Sequence, residues 1–167
     1  MALSESILDA AGPVPLGEDV ALDLLRRHLS GISFTSLLSP GTPPPFVLVR
    51  EVTFYGGWTA DRRFIREYFI SIETFTEGLE SDVEGPTIHR AVENIFLRAA
   101  LGHEPVVGGA GWIEAAELVE PARRVSDWAS AVGPVQLADL PQNWVRHISI
   151  HRLTLKRSDV GPNVYDY

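Results

Sequence analysis

Hydrophobic residues recur at helical spacing in two parts of the chain. The first part covers about residues 18–30, with acidic residues in its first turn, basic residues in its last turn and Gly31 directly afterwards. The second part covers residues 87–101, lies between Pro86 and Gly102, and repeats apolar side chains every three or four positions. This spacing places apolar side chains on one side of a helix, and proline and glycine are typical of helix ends. The sequence therefore predicts two amphipathic helices.

Apolar and polar residues alternate in two runs between the predicted helices. These runs, residues 46–55 and 64–75, are rich in β-branched and aromatic residues, and the segment GGWTADRR joins them. Alternation of this kind predicts a β-hairpin with a long loop. Arg50 and Arg66 interrupt the more apolar side of each run, and the other side is partly polar. We therefore expect a sheet that is covered fully on one side only, with helix 87–101 over its apolar face.

Two further strands are predicted in the second half of the chain. Residues 112–120 are assigned to a strand although Pro121 follows them. Residues 144–157 form the last strand, and their apolar parity changes part-way along, which predicts a β-bulge near His151. The remaining connections are rich in glycine, proline or acidic residues and are predicted to be loops or turns: residues 31–45, 76–86, 102–111 and 133–142.

This order of elements predicts an α+β fold, with an antiparallel sheet of about four strands packed against two helices. The chain has 167 residues, of which 45% are hydrophobic, and these values fit one domain with a single core. We therefore assign residues 1–167 to one domain. Residues 1–17 are expected to form a flexible N-terminal arm, and residues 158–167 a C-terminal tail.

Composition and charge exclude several classes of site. Cysteine is absent, so disulfides, thiolate metal sites and cysteine nucleophiles are excluded. The formal net charge is -8, whereas proteins that grip nucleic-acid phosphates need clustered lysine and arginine. No apolar run reaches the roughly 18 residues of a membrane span, and the first residues, MALSESILDA, lack the pattern of a secretory signal. We therefore expect an intracellular protein without a membrane segment.

His147 and His151 form an H-x-x-x-H pair, a spacing that can bind one metal ion when it lies on a helix. Here the surrounding pattern predicts a strand, in which the two side chains point the same way but lie about 13 Å apart at ~3.3 Å per residue. A zinc ion with Zn–N distances of about 2.1 Å cannot bridge that separation. The pair is therefore interpreted as partly exposed histidines of a sheet.

Three other patterns fall short of known catalytic and binding motifs. The segment GGAGWIE lacks the glycine spacing of a dinucleotide loop and the lysine of a phosphate loop. The segment GISFT resembles a nucleophile elbow but ends in Thr35, where that motif requires glycine. The acidic run from Glu77 to Glu84 does not match a calcium loop and is interpreted as a solvated linker. The sequence therefore predicts no catalytic residue, no cofactor and no metal ligand.

Charged and aromatic side chains around the hairpin loop and next to glycine-rich segments are candidates for a contact surface. Charged residues at a loop tip are usually solvated, and large aromatic residues usually belong to the core. The alternative is an interface with another subunit, where aromatic and arginine side chains commonly anchor the contact. We assign the following residues to this candidate subunit interface: Tyr55, Trp58, Asp61, Arg62, Arg63 and Trp112.

The phrases PFVLVRE and ISIETF, the helix HRAVENIFLRAAL and the closing strand WVRHISIHRLTLKR follow an N-terminal helix and a proline-bearing connector. This order and texture resemble the tail terminator proteins of long-tailed phages, most closely those of actinobacterial siphophages. The resemblance covers about residues 18–157. It implies a structural protein of the virion that is not an enzyme.

The resemblance also implies a specific place in the virion. Tail terminators form a ring, typically a hexamer, on the head-proximal end of the tail tube, where they stop tube polymerisation and join the tail to the neck of the head. The implied partners are other copies of this chain, the tail tube protein and the head-neck connector protein. Genomic DNA would pass through the lumen without specific binding, since an acidic wall repels its phosphates. Assembly would take place in the host cytoplasm, without a membrane.

Three alternatives remain open. A neck or head-tail completion (connector) protein would have a similar size and similar partners. A small hydrolase could assemble its site from dispersed residues such as His89, Asp61 and Glu73, although no motif spacing supports it. A monomeric binding or adaptor domain is the third alternative.

Overall fold

The computed structural model describes residues 15–38, 41–52, 65–125 and 144–157. Within this part of the chain it contains two α-helices and five β-strands, which confirms the predicted α+β class. Neither of these two helices is long and apolar enough to cross a membrane. The elements are α1 (Gly17–His28), β1 (Ser33–Thr35), β2 (Phe46–Glu51), β3 (Ile65–Glu77), α2 (Ser81–Leu101), β4 (Gly111–Val125) and β5 (Trp144–Arg157).

The five strands form one sheet in the order β1-β2-β3-β5-β4. β1 is parallel to β2, and the other neighbouring strands are antiparallel. The sequence predicted about four antiparallel strands, so the parallel strand β1 is the element that was missed. It has only three residues, Ser33–Thr35, within a segment predicted to be a loop. So short a run shows no alternation from which a strand could be inferred.

Both helices pack on the same face of the sheet, which we call the helix face. On the strands this face consists of Val47 and Val49 of β2, the even-numbered residues of β3 and the odd-numbered residues 147–155 of β5. Burying each large apolar side chain here stabilises the fold by roughly 1.5–3 kcal/mol relative to exposure. Buried side chains from both helices meet the strands in one cluster, which includes Val20, Leu24, Leu25, Tyr68, Ile70, Ile72, Val92, Phe96, Leu153 and Leu155.

The predicted hairpin is present as β2 and β3. The two strands pair from Phe46 opposite Phe75 to Glu51 opposite Ile70, and the predicted hairpin loop lies outside the described residues. One helix, residues 87–101, was expected to cover the apolar face of the hairpin. In the structure α1 packs on β2 and β3, whereas α2 packs on β3, β4 and β5. The hairpin is therefore covered by two helices, because each of them is too narrow to span five strands.

Helix α2 begins at Ser81 rather than at residue 87, which corrects the interpretation of residues 76–86 as a turn-rich linker. Pro86 lies within the second helical turn, where the loss of its N–H removes one hydrogen bond of the helix. Gly85 is buried against β5, and a Cβ at this position would overlap the ring of His147. The glycine therefore allows the helix to approach the sheet closely and does not mark a helix end.

Strand β5 has the predicted bounds, but the β-bulge expected near His151 is not in this strand. β5 pairs with all 13 residues of β3 without a change of register. The apolar parity of β5 changes because the buried residues in its first half are polar, and not because the strand slips. The register shifts lie in the neighbouring strand β4, between Ile113 and Ala115, Leu118 and Glu120, and Glu120 and Arg123.

Strand β4 lies at one edge of the sheet and continues to Val125, beyond the predicted end at residue 120. Pro121 is tolerated inside it because an edge strand has no partner for the N–H groups on its outer side. The exposed residues of β4 include Glu114, Glu117 and Arg123. Charges, a proline and register shifts on an edge strand limit uncontrolled pairing with other chains.

The end of the predicted N-terminal arm is fixed to the sheet. The hydroxyl of Tyr68 donates a hydrogen bond to the carbonyl oxygen of Pro15 (2.8 Å), and the N–H of Gly17 donates to Oε2 of Glu51 (2.7 Å). Burial raises the pKa of Tyr68 to about 12, so that its hydroxyl stays a donor. The first fourteen residues and the predicted C-terminal tail lie outside the described residues.

Candidate interaction face

The residues predicted at a subunit interface lie mostly in the hairpin loop, outside the described residues; only Trp112 can be placed. It lies near the start of the edge strand β4 and is half-buried. Its indole N–H donates to Oε2 of Glu114 (2.8 Å), and the Lys156 ammonium lies 5.5 Å from the ring centroid. These contacts place Trp112 at the rim of the sheet. Its side chain packs against residues of the same chain and is partly accessible to solvent. The residues that remain outside are Tyr55, Trp58, Asp61, Arg62 and Arg63.

Polar side chains on the helix face form a buried group between α2 and strands β3 and β5, which we call the helix-face cluster. The hydroxyl oxygen of Ser149 lies 2.7 Å from Nδ1 of His89 and 3.0 Å from Nε2 of His151. The Nε2 atom of His89 lies 3.3 Å from the hydroxyl oxygen of Thr74. A hydroxyl donates one hydrogen bond and accepts others, so the two rings can both be satisfied by one serine.

Burial keeps the histidines of the helix-face cluster neutral. It lowers the pKa of His89 and of His151 to about 4, because the charged imidazolium loses its hydration. The ring of Phe96 packs edge-on against His151, with 5.2 Å between centroids. His147, next to the cluster, is also buried, and burial lowers its pKa too. The expectation that His147 and His151 are partly exposed was therefore wrong, because the early part of α2 covers His147 at Gly85 and Phe96 covers His151.

A serine flanked by histidines can serve as a nucleophile with its base, so this chemistry needs a test against the geometry. Ser149 is only 1% exposed, and the two rings beside it are buried as well. In the described part of the chain, neither ring donates a hydrogen bond to a carboxylate that would orient it. The cluster is therefore suited to fixing α2 on the sheet. In the sequence this cluster is indicated by polar residues at every second position of β5 and by a histidine in helix α2.

Arginine and glutamate side chains dominate the opposite face of the sheet, which we call the second face. Nε and Nη2 of the Arg146 guanidinium both bind Oε2 of Glu73, at 2.9 Å and 2.6 Å, and Nη2 of Arg50 binds Oε1. We call these three residues the basic triad, because two arginines and one glutamate leave one net positive charge. Arg146 is 4% exposed and Glu73 is fully buried, whereas the Arg50 side chain is 26% exposed.

The basic triad has more donors than acceptors. Nη1 of Arg146 and Nε of Arg50 are buried and have no hydrogen-bond partner within the described residues. The same is true of the hydroxyl of Ser71, which lies opposite Arg50 in the sheet. A buried donor without a partner costs about 1–3 kcal/mol, and more when it is charged. Within the described residues the second face therefore has buried donors without acceptors, and on the helix face Nδ1 of His147, next to the cluster, is also without a partner.

An aromatic group adjoins the basic triad on the second face. The rings of Phe46 and Phe75 stack with 4.6 Å between centroids, and Trp144 meets both of them edge-on. Leu48 joins them in a small core that contains no residue of either helix. Such aromatic pairs add about 0.5–1.5 kcal/mol beyond the area that they bury.

A second charged group lies farther along the same face. Arg152 of β5 lies between Glu117 of β4, with which its Nη2 forms an ion pair, and Glu67 of β3, with 3.8 Å from Nη1 to Oε1. We call these residues the acidic triad, because two glutamates and one arginine leave one net negative charge. Its most exposed member is Glu117, whose side chain is 56% exposed. The second face therefore carries two charged groups, and an exposed residue of the opposite sign lies on the same face near each of them: Glu77 near the basic triad and Lys156 near the acidic triad.

No protein-family model and no curated protein matches this chain. The residues considered for a hydrolase site do not converge: His89 bonds to Thr74 on the helix face, whereas Glu73 points to the second face. Asp61 lies outside the described residues. In residues 15–38, 41–52, 65–125 and 144–157, no group of three or more histidine or acidic side chains could hold a metal ion.

A cleft of about 280 Å³ lies between the end of α1 and the outer side of α2. Its walls include His28, whose Nε2 lies 2.9 Å from a carboxylate oxygen of Glu104. The exposed side chains of Asn94 and Arg98 form the other polar part of the wall. The cleft is open and holds no buried polar group aimed into it, so the second face remains the better candidate for a contact site.

Proposed function

We propose that this chain is a structural protein of a phage virion: a tail terminator that caps the head-proximal end of the tail tube as a homo-oligomeric ring, expected to be a hexamer. In this role it joins the tail to the neck of the head and has no catalytic activity. Its partners are then copies of itself, the tail tube protein and the head-neck connector protein. The overall charge of -8 favours a lumen through which DNA passes without binding.

The open sheet with two unlike edges is the observation that carries this proposal. β1, at one edge, has three residues and lies beside α1, whereas β4, at the other edge, has 15 residues and exposes charged side chains. Copies that contact each other through two different surfaces are arranged head to tail, and such contacts close into a ring when the rotation permits. At its start β4 is bridged by Pro105, opposite Trp112, so the free edge begins after Ile113 and Trp112 supplies an aromatic side chain next to it.

The positions of the polar side chains, which are buried or paired with each other, also support a structural role. The serine and histidines that could react are sealed under α2 in the helix-face cluster. The charged side chains of the second face bind each other across three strands in each triad. Both arrangements fix strands and helices in place, and neither leaves a poised reactive group at a cleft.

Binding to the ends of tail tubes tests the proposal. Tubes assembled from the tail tube protein of the same genome would be mixed with this chain and imaged by negative staining. We expect rings at one end of each tube and shorter tubes when the chain is present during polymerisation. Trp112→Ala should reduce capping, whereas Val83→Ala, at an exposed position of α2, should not.

Two outcomes would contradict the proposal. Binding to connector rings without binding to tube ends would favour a head-tail completion protein, and binding to neither would remove the virion role. The mass of the isolated chain does not decide between them, because a ring protein can stay monomeric until it meets the tube.

A further inference from the structure

We propose that the N-terminal half of α2 separates from the sheet in mild acid, when His89 and His147 take up protons, while the C-terminal half of the helix stays in the core. The half that separates, residues 81–90, is called the α2 N-segment below. Its opening is a local conformational change controlled by pH. The inference therefore goes beyond the proposed function and does not depend on it.

The two halves of α2 bury different kinds of side chain. The buried residues of the α2 N-segment are Ser81, Gly85 and His89. Its larger apolar residues, Val83 and Ile88, are exposed and half-buried, respectively. The buried residues of the other half are Val92, Ile95, Phe96 and Ala99. Because burial of apolar surface is the main force that holds a helix on a sheet, the α2 N-segment is the less firmly held half.

The strands below the α2 N-segment are polar as well. The hydroxyl of Thr76 donates to the carbonyl oxygen of Ser81 (3.4 Å), and the ring of His89 contacts the hydroxyls of Thr74 and Ser149. Pro86 removes one backbone hydrogen bond from this part of the helix. A segment with few buried apolar contacts can open without unfolding the rest of the protein.

The closed arrangement has no place for two protonated rings. His89 and His147 are 4% and 5% exposed, and their ring centroids lie 6.4 Å apart, so two imidazolium charges would repel each other away from water. Nδ1 of His147 lies below Gly85 and has no hydrogen-bond partner among the described residues. The partners of His89 are hydroxyls, which stabilise a positive charge less than a carboxylate would.

Other charged groups near the two rings do not replace the histidines as the proton-sensitive groups. Asp82 of α2 forms an exposed ion pair with Arg124 of β4 (2.8 Å), and the two charges act on His147 in opposite directions. From β5, His151 also faces His89, but it is covered by Phe96 in the half of α2 that stays in place. The strand β3 contributes hydroxyls. Histidine is the side chain whose charge ordinarily changes between pH 5 and pH 8.

Proton binding favours the open form in mild acid. Burial lowers the pKa of His89 to about 4 and also lowers the pKa of His147. In the open form both rings meet water, so their pKa values return towards about 6.5. The open form therefore binds more protons between about pH 6.5 and pH 4, and its population rises as the pH falls through this range. From pH 7 to pH 5 the ratio of open to closed form should rise about twentyfold through His89 alone.

Native-state hydrogen exchange at pH 7 and pH 5 tests the opening. Protection of the amides of residues 85 and 87–90, relative to the unfolded chain at the same pH, should be about twentyfold or more lower at pH 5. Low concentrations of urea should change it little, because local opening exposes little surface. The amides of residues 95–101 should instead lose protection steeply with urea, since they exchange through unfolding of the whole domain.

Substitution of each histidine identifies the groups that take up the protons. His89→Gln keeps a polar side chain beside Ser149 but cannot be protonated, so the change in protection between pH 7 and pH 5 should become about twentyfold smaller. His147→Asn should also reduce the change. The matched control is His103→Gln, which removes an exposed histidine just after α2 and should leave the response of the α2 N-segment as in the wild type.

Three results would overturn the inference. The first is equal protection of the α2 N-segment at pH 7 and pH 5. The second is a urea dependence of its exchange as steep as that of residues 95–101, which would mean that it opens only when the whole domain unfolds. The third is a wild-type response to pH in both histidine variants. If His89→Gln does not fold by circular dichroism, the wild-type exchange and His147→Asn still decide. Failure to cap tail tubes would not affect any of these measurements.

Discussion

The two faces of the sheet differ in how their buried polar groups are stabilised. On the helix face, Ser149 connects neutral histidines by hydrogen bonds. On the second face, only three residues away along the same strand, Arg146 and Glu73 form a buried ion pair that Arg50 joins. A neutral network can close under a helix, whereas a charged group with spare donors gains from a further acceptor. The difference shows that the helix face is held by a neutral hydrogen-bonded network, whereas the second face buries an ion pair and donors that have no partner among the described residues.

Removal of the buried carboxylate should have the largest effect. Glu73→Ala leaves Arg146 and Arg50 without their shared acceptor, so the free energy of unfolding should fall by about 3–5 kcal/mol. Urea unfolding monitored by circular dichroism measures this loss. The matched control is Glu117→Ala, an exposed glutamate of the same face, which should cost about 1 kcal/mol or less.

A second variant sharpens this prediction. Replacing the whole basic triad by apolar residues, Arg50→Met, Glu73→Leu and Arg146→Met together, should be less destabilising than Glu73→Ala, because no buried charge is then left unpaired. If the triple variant loses as much stability as the single one, or if Glu73→Ala resembles Glu117→Ala, the charges of the second face are not buried as described.

The helix-face cluster should make the protein sensitive to mild acid. His89 and His151 take up a proton near pH 6.5 in the unfolded chain but only near pH 4 in the folded chain. The unfolded state therefore binds more protons in this window, and stability falls as the pH falls from about 6.5 towards 4. At pH 5 the loss should be about 2 kcal/mol for each histidine relative to pH 7.

Unfolding in urea at several pH values measures this dependence. His151→Phe, which retains an aromatic ring beside Phe96, should lose about 2 kcal/mol less than the wild type between pH 7 and pH 5. Both proteins should change little between about pH 8 and pH 7, where the two histidines are neutral in both states. An equal loss in variant and wild type below pH 6 would mean that His151 is not the group that titrates.

The close approach of α2 to β5 should be sensitive to a single methyl group. Gly85→Ala introduces a Cβ where the ring of His147 lies, so that ring must move or the helix must shift. We expect a loss of about 1–3 kcal/mol, as for other overpacked cores, although alanine favours the helix by about 1 kcal/mol. Thermal or urea unfolding measures the change. In a His147→Ala background the cost should largely disappear, and an undiminished cost there would place the clash elsewhere.

Sequence patterns predicted the elements whose side chains repeat with a clear period. The bounds of β5 and the apolar stripe of α2 agree with the structure, because buried positions in each recur at strand or helix spacing. The start of α2 was missed, since Gly85 and Pro86 favour a helix end in isolation. Only the contact with His147, far away in the sequence, explains a glycine at that position.

The candidate site was less accessible to sequence reasoning. Arg50 was recognised as an exception on the more apolar side of its run, the side expected to lie under a helix. In the structure that side of β2 belongs to the second face, and Val47 and Val49 lie under the helices. Glu73, the partner of Arg50, follows only from the register of β2 on β3, and Arg146 only from the register of β3 on β5. Local periodicity does not show which distant strands pair. The contacts within each triad could therefore not be predicted from the sequence. Trp112 is placed at an edge of the sheet, and the interface role of the residues in the hairpin loop stays a prediction.

The two arginines of β5 on the second face allow the smallest and sharpest comparison. Arg152 is held by Glu117 and Glu67 at a partly exposed site, where solvent screens the ion pairs. Arg152→Gln should therefore lower the free energy of unfolding by about 1 kcal/mol or less. Arg146→Gln, six positions earlier at a buried site, should cost several times as much, about 3–5 kcal/mol. Both would be measured by urea unfolding monitored by circular dichroism. Equal losses would mean that the two triads do not differ in burial. The acidic triad would then contribute as much to the free energy of unfolding as the basic triad.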